Sequence, residues 1–119
     1  MQRVLGIGGV FFKAKDPKAL GAWYAKHLGL PVDPAYGHAA FENEGTSQTV
    51  WSPFAADSTH FPNAIMINYR VEDLRAMLAQ LREAGVAVED KVDEGDFGAF
   101  GWLTDPEGNR VELWQPPSA

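Results

Sequence analysis

Apolar and polar positions along the chain predict two successive rounds of one element order. Val4 to Ala14 (VLGIGGVFFKA) is β-branched and aromatic with glycine interruptions, and predicts a strand apolar on both faces. Asp16-Pro17 then gives a helix start: the carboxylate can accept an orphan backbone N–H, and proline has no donor to lose there. Leu20, Trp23, Tyr24, His27 and Leu28 follow at helical spacing, and Gly29 and Pro31 stop the helix. Gly37 to Phe41 and Thr46 to Pro53 predict two short strands, with Asn43-Glu44-Gly45 as the turn between them. Phe54 to Asn63 holds Pro62 with Ser58 and Thr59 and reads as a central linker.

The pattern then restarts. Ala64 to Val71 predicts a strand. Asp73 precedes a second stripe, Leu74, Met77, Leu78, Leu81 and Ala84, which Gly85 ends. Val86 to Asp90 is expected as a short strand, Glu94 to Phe97 as a loop, Gly98 to Leu103 as a strand, Thr104 to Asn109 as a tight turn and Arg110 to Gln115 as the last strand. The order is β-α-β-β-β twice over, the strand directly after the first helix being poorly defined. Asp16 and Asp73 are 57 positions apart, as are Gly9 and Met66. Thr49-Val50-Trp51-Ser52-Pro53 lies 63 before Glu112-Leu113-Trp114-Gln115-Pro116. We expect one α+β domain over residues 1–119, with module one at 1–55, a linker at 56–63 and module two at 64–119. Neither half can bury its own sheet face alone.

Composition narrows the partners. The chain has 119 residues, no cysteine and a formal charge of −6. Disulfides, thiolate metal sites and cysteine nucleophiles are excluded, which fits a cytoplasmic setting. The acidic balance argues against a nucleic-acid partner, because neutralising phosphates takes clustered Lys and Arg. No apolar run approaches the ~20 residues of a membrane span, and no secretory leader is evident in MQRVLGIGGVFF. No nucleophile elbow, phosphate loop or dinucleotide-binding glycine pattern appears.

Thr104 to Pro116 (TDPEGNRVELWQP), supported by Lys13 to Leu30 and Asn68 to Val86, resembles the vicinal oxygen chelate superfamily. That group includes glyoxalase I, extradiol dioxygenases, methylmalonyl-CoA epimerase and bleomycin-resistance proteins. The resemblance implies paired βαβββ modules in a curved, barrel-like mixed sheet. Two helices lie outside it, a concave pocket lies within, and a homodimer is common. It also implies a divalent metal held by four strand positions, here Gly9, Thr49, Met66 and Glu112. Only Glu112 carries a suitable donor: Gly9 has no side chain, and a thioether suits neither Mg, Mn nor Zn. We therefore expect no metal of the family type.

With Glu112 pointing inward, strand alternation sorts the rest. Arg110 and Trp114, Thr49 and Trp51, Gly9, Phe11 and Lys13, and Met66, Asn68 and Arg70 are expected on the concave face. Val10, Phe12, Val50, Ile67, Tyr69, Val71, Val111 and Leu113 are expected away from it. The facing of Phe100 and Trp102 is open. The expected ligand-binding set is Phe11, Thr49, Trp51, Met66, Asn68, Arg70, Glu112 and Trp114, the composition of a small-molecule pocket. The alternative is that these aromatics simply fill the sheet interior.

A carboxylate among aromatics needs a partner. Glu112 is read either as an ion pair with Arg70 or as a ligand-orienting acceptor or general base. His27 is expected to pack at a helix end, and His38 precedes a strand. His60 sits in the linker, over the pocket mouth or at a dimer seam. A displaced metal site from His38, His60, Asp57, Glu42 or Glu44 matches no known spacing. Three functions remain open: a metal-free binder of a small aromatic or amphipathic molecule; a metal-dependent lyase, isomerase or dioxygenase with displaced ligands; and a metal-independent enzyme using Glu112 as base.

Overall fold

A computed structural model describes residues 1–43 and 47–118. The elements are β1 (Val4–Ala14), α1 (Pro17–Leu28), β2 (Ala39–Glu42), β3 (Gln48–Ala55), β4 (Ile65–Val71), α2 (Leu74–Glu83), β5 (Val88–Gly95), β6 (Gly98–Thr104) and β7 (Arg110–Gln115). The seven strands form one curved, open mixed sheet in the order β2-β3-β1-β4-β7-β6-β5, so the fold is α+β as expected. The two rounds meet where β1 and β4 pair antiparallel. Within each round the first and last strands pair parallel, β1 with β3 and β4 with β7.

Local chemistry explains both helix starts. The Asp16 carboxylate accepts from the Ala19 backbone N–H at 3.1 Å, and Asp73 from Ala76 at 3.0 Å. Gly29 closes α1 at φ 69°, in the left-handed region. Helix α2 buries Leu74, Met77 and Leu78 against Val71 and Leu113, its expected stripe; each such side chain contributes roughly 1.5–3 kcal/mol. Helix α1 is different. Trp23 and Leu28, expected on its buried face, are 52% and 62% exposed. The helix instead comes in through Gly21, where a Cβ would stand 2.6 Å from the Gly37 carbonyl oxygen.

Three expected strands are corrected. The stretch after α1 is only a bridge between Val32 and Ala39, since Pro31 and Pro34 flank it and proline lacks the donor a ladder needs. Strand β5 runs later than expected, through Glu94 and Gly95 to a turn at Asp96-Phe97. As the sheet edge, it tolerates Glu89, Asp90, Lys91, Asp93 and Glu94. Strand β3 ends at Ala55, inside the expected linker. Glu44, Gly45 and Thr46, and with them most of the expected Asn43-Glu44-Gly45 turn, lie outside the described residues.

The larger correction concerns which face β3 presents. The ladder pairs Gly9 with Val50, Phe11 with Ser52 and Lys13 with Phe54. Residues opposite one another share a face, so Val50, Ser52 and Phe54 are concave-side while Thr49 and Trp51 are not. Trp51 packs against Phe12 at 5.2 Å and Tyr24 of α1 at 4.9 Å, ring centre to ring centre. Phe11 and Asn68 are equivalent under the 57-residue repeat, and Asn68 pairs with Glu112. The module-one counterpart of Glu112 is therefore Ser52, not Thr49. Aligning Trp with Trp at a 63-residue offset gave the wrong parity, and a slip of odd length turns every side chain over.

Candidate functional site

Strand pairing gathers a buried polar node around Glu112, which is 3% exposed. Strand β4 sets Asn68 beside it and β6 sets Trp102 beside it. Asn68 Nδ2 donates to Glu112 Oε1 at 2.7 Å, and Trp102 Nε1 donates to Oε2 at 2.9 Å. His60, from the segment joining the two rounds, brings Nε2 to 3.2 Å from Oε2. Oxygen Oε2 thus meets two N–H groups and Oε1 one. This is the compensation a carboxylate buried among aromatics requires.

The histidine is itself held on several sides. Its ring stacks on Phe54 at 5.5 Å and 5°, and its backbone carbonyl accepts from Arg110 Nη1. Arg110 makes a two-pronged contact with Glu89, at 2.8 and 2.7 Å, and lies over the Trp102 ring. The hydrogen bonds from Arg110 hold the Glu89 carboxyl below its ordinary value, against a smaller opposing effect of burial. The same pair raises Arg110.

Phe11, Phe61, Met66 and Trp102 fill one end of the concave interior. The other end is open. A cavity of about 460 Å³ lies there, walled by Phe11, Val50, Phe97, Phe100 and Trp114, with Gly8, His38, Gln48 and Asn68 among its other lining residues. Phe100 and Trp114 stack in parallel, 6.0 Å apart at 1°, and Trp114 Nε1 is anchored on the Phe97 carbonyl at 2.7 Å. Strand β1 has a register irregularity between Ile7 and Gly9, which turns both Gly8 and Gly9 inward. A Cβ on Gly8 would stand 2.2 Å from Asn68 Oδ1 and 2.8 Å from Trp114 Cε3. The space exists because that side chain is missing. Asn68 Oδ1 is buried and, among the described residues, has no hydrogen-bond partner. A larger hollow of about 610 Å³ lies where the end of β1 (Lys13, Ala14) meets Trp23 and Tyr24 of α1. It lacks the enclosing strands and the polar node, so we place the site in the concave cavity.

Of the expected pocket residues, Phe11, Asn68 and Trp114 line this cavity. Met66 is packed beneath it, Glu112 sits behind Asn68, and Thr49 and Trp51 are on the far face. The expected Glu112–Arg70 pair is not formed. Arg70 lies across β1 and donates through Nη1 to the Ile7 carbonyl at 2.6 Å and the Gln48 carbonyl at 3.0 Å. Glycine at position 6 permits this, since a Cβ there would meet Arg70 Nη2 at 2.5 Å. Phe100 and Trp102 both face inward, because they stand opposite Trp114 and Glu112 in the β6–β7 ladder. The sequence reading missed Val50, Phe97, the partner role of His60 and the plug made by Phe61. Only the β6 facing had a usable signal: closing the tight turn by pairing Thr104 with Arg110 sets Trp102 opposite Glu112.

The residues present do not fit the divalent metal that the fold family implies. Gly9 has no donor, Met66 is packed in the apolar plug, Thr49 is on the other face with only the Ser52 hydroxyl in its place, and the Glu112 oxygens already serve Asn68, Trp102 and His60. Among the described residues, no three His, Asp or Glu side chains come together as a metal-binding group. His38 lines the cavity while His60 is at the node, and Glu44 lies outside the described residues. No helix among the described residues is long and apolar enough to cross a membrane.

Solved structures share this architecture. A methylmalonyl-CoA epimerase from Mycobacterium tuberculosis is 20% identical, covering 97% of this chain and 90% of that one, with a TM-score of 0.66. A Streptomyces coelicolor methylmalonyl-CoA epimerase variant in complex with 2-nitronate-propionyl-CoA is 17% identical over 98% of this chain and 100% of its own, at 0.73. A glyoxalase/bleomycin resistance protein/dioxygenase superfamily member from Vibrio splendidus 12B01 is 12% identical over 97% and 99%, at 0.61. At these identities the likeness speaks for the fold. Comparison with curated proteins gives no match. Residues 9–114 match the family described as the glyoxalase-like domain, and the chain belongs to that family.

Proposed function

We propose that this chain binds a small planar aromatic or amphipathic molecule in the concave cavity, without a metal ion. The observation that carries the reading is the cavity itself. It is roomy enough for a bicyclic ligand, walled by the stacked Phe100–Trp114 pair with Phe11 and Phe97, and supplied with one free buried acceptor on Asn68. Glu112 serves as an anchor of the wall rather than as a base, since its oxygens are taken up by protein donors. The metal-free half rests on that same commitment. A homodimer in a cytoplasmic setting completes the reading, supported by the family resemblance and the absence of cysteine.

The test is a ligand screen read by thermal shift and by amide NMR, starting with indole and extending to neutral and cationic planar bicycles. Shifts are expected at Gly8, Phe100 and the Trp114 indole N–H, and they are expected to persist in EDTA. A screen in which no planar compound moves these signals would sink the binding reading. Binding that EDTA abolishes and Zn, Ni or Mn restores would sink the metal-free half.

A further inference from the structure

The orientation of the Asn68 amide is decided by chemistry, not by packing. Glu112 accepts from Trp102 Nε1 on Oε2 and meets the Asn68 amide on Oε1, and the face of Asn68 turned towards it is the Nδ2 donor, at 2.7 Å. The opposite face is then the Oδ1 acceptor. That atom lies on the side of Gly8, a residue of the cavity wall, and has no donor among the described residues. Asn68 is 1% exposed, so bulk water does not relieve this acceptor.

From this we infer that Glu112, acting through Asn68, sets the hydrogen-bond polarity of the cavity. The molecule it takes is a flat ring system carrying an N–H or O–H donor on its edge. Ligands of the same shape that offer only acceptor atoms leave two lone pairs facing each other and are rejected. The inference rests on the ligand-binding reading and adds its substrate class. Asn68 is the contacting residue and Glu112 a positioning residue.

Trp102 makes the consequence of altering Glu112 definite. Its indole Nε1 can only donate, and it points at Glu112 Oε2. In Glu112→Gln the carbonyl must therefore stay with Trp102, which leaves the Gln amide N–H₂ facing Asn68. Asn68 must then turn over, offering Oδ1 to Gln and Nδ2 to the cavity. The variant keeps the groups around position 112 paired, turns the one unpaired cavity-side group of Asn68 from an acceptor into a donor, and so inverts the polarity of the site.

Indole and benzofuran form a fitting pair of probes, with nearly the same outline but a ring N–H in one and a ring oxygen in the other. The natural protein is expected to bind indole about fivefold to tenfold more tightly, the size of one neutral hydrogen bond. In Glu112→Gln the preference is expected to disappear or reverse. A measurement without ligand runs alongside: nuclear Overhauser contacts from the Asn68 amide protons to the Trp102 indole N–H in the natural protein, moving towards Gly8 and Trp114 in Glu112→Gln. Equal affinity for the two probes overturns the polarity inference while leaving the binding reading standing. Failure of every planar compound to bind overturns both. Asn68 amide contacts that do not move in a folded Glu112→Gln protein overturn the inference on their own.

Discussion

The node around Glu112 makes a stability prediction that separates charge from hydrogen-bond completeness. Replacing Glu112 by Ala removes the acceptor shared by Asn68 Nδ2, Trp102 Nε1 and His60 Nε2. Asn68 and Trp102 are 1% and 2% exposed, so their donors have no ready access to water. Each orphaned buried donor costs about 1–3 kcal/mol. The His60 side chain is 36% exposed and can turn to solvent at little cost. Two fully orphaned groups therefore set the loss at roughly 2–6 kcal/mol, offset in part because a buried carboxylate no longer has to be desolvated. We expect about 3 kcal/mol. Glu112→Gln adds no further orphan once Asn68 turns over, since its unpaired cavity-side acceptor is exchanged for an unpaired donor, and forfeits mainly the charge-assisted share of three hydrogen bonds, about 1 kcal/mol. Urea unfolding followed by far-ultraviolet circular dichroism and tryptophan fluorescence reads both, with the m-value as a check that the unfolded state is unchanged. An Ala variant within about 1 kcal/mol of the natural protein, or a Gln variant as damaged as the Ala one, would refute the reasoning. Either result means that the donors are not relying on the carboxylate.

Three further outcomes follow from the same geometry. Gly8→Ala drives a methyl group into Asn68 Oδ1 and Trp114; overpacking should cost about 1–3 kcal/mol, and calorimetry should show at least a tenfold loss of ligand affinity. Trp51→Ala, which strips the contact with Phe12 and Tyr24, should lower the urea midpoint while leaving affinity within about twofold, whereas Trp114→Ala should abolish binding; matching effects from the two would contradict the reversed facing of β3. The Glu89 carboxyl is lowered in the folded state by Arg110, so the stability it contributes is present above the ordinary carboxylate range and disappears as pH falls through the folded value. Because Glu89 is partly exposed, that contribution is at most about 1 kcal/mol. Glu89→Gln should be less stable than the natural protein at pH 7, and the difference should shrink as pH falls below the ordinary carboxylate range; a difference that stays constant over that fall would rule the linkage out.

Local and non-local information divided sharply along this chain. The Asp16 and Asp73 caps, the α2 stripe and the 57-residue repeat were legible because each depends on residues a few positions apart or on simple self-similarity. The facing of β3 was not, because it is decided by pairing with β1, forty residues away in sequence, and a match of Trp51 to Trp114 carried the wrong parity. Glu112 was correctly read as needing a partner, since the cost of a bare buried carboxylate is general. Its partner was misread for a specific reason: the glycines of β1 leave its backbone bare, so Arg70 can lie across the strand and donate to the Ile7 carbonyl of β1 and the Gln48 carbonyl of β3. That left the position beside Glu112 to His60, which comes from an aperiodic linker where no spacing rule operates. The two expectations for the interior, a pocket or a filled sheet, each describe one end of it. Phe61 of the same linker plugs one end with Phe11, Met66 and Trp102. At the other end, inward-facing Gly8 at the β1 irregularity withholds the side chain that would have closed it. The inward aromatics supply walls to both ends alike, so the cavity owes its existence to Gly8, and its polarity to a carboxylate that does not line it.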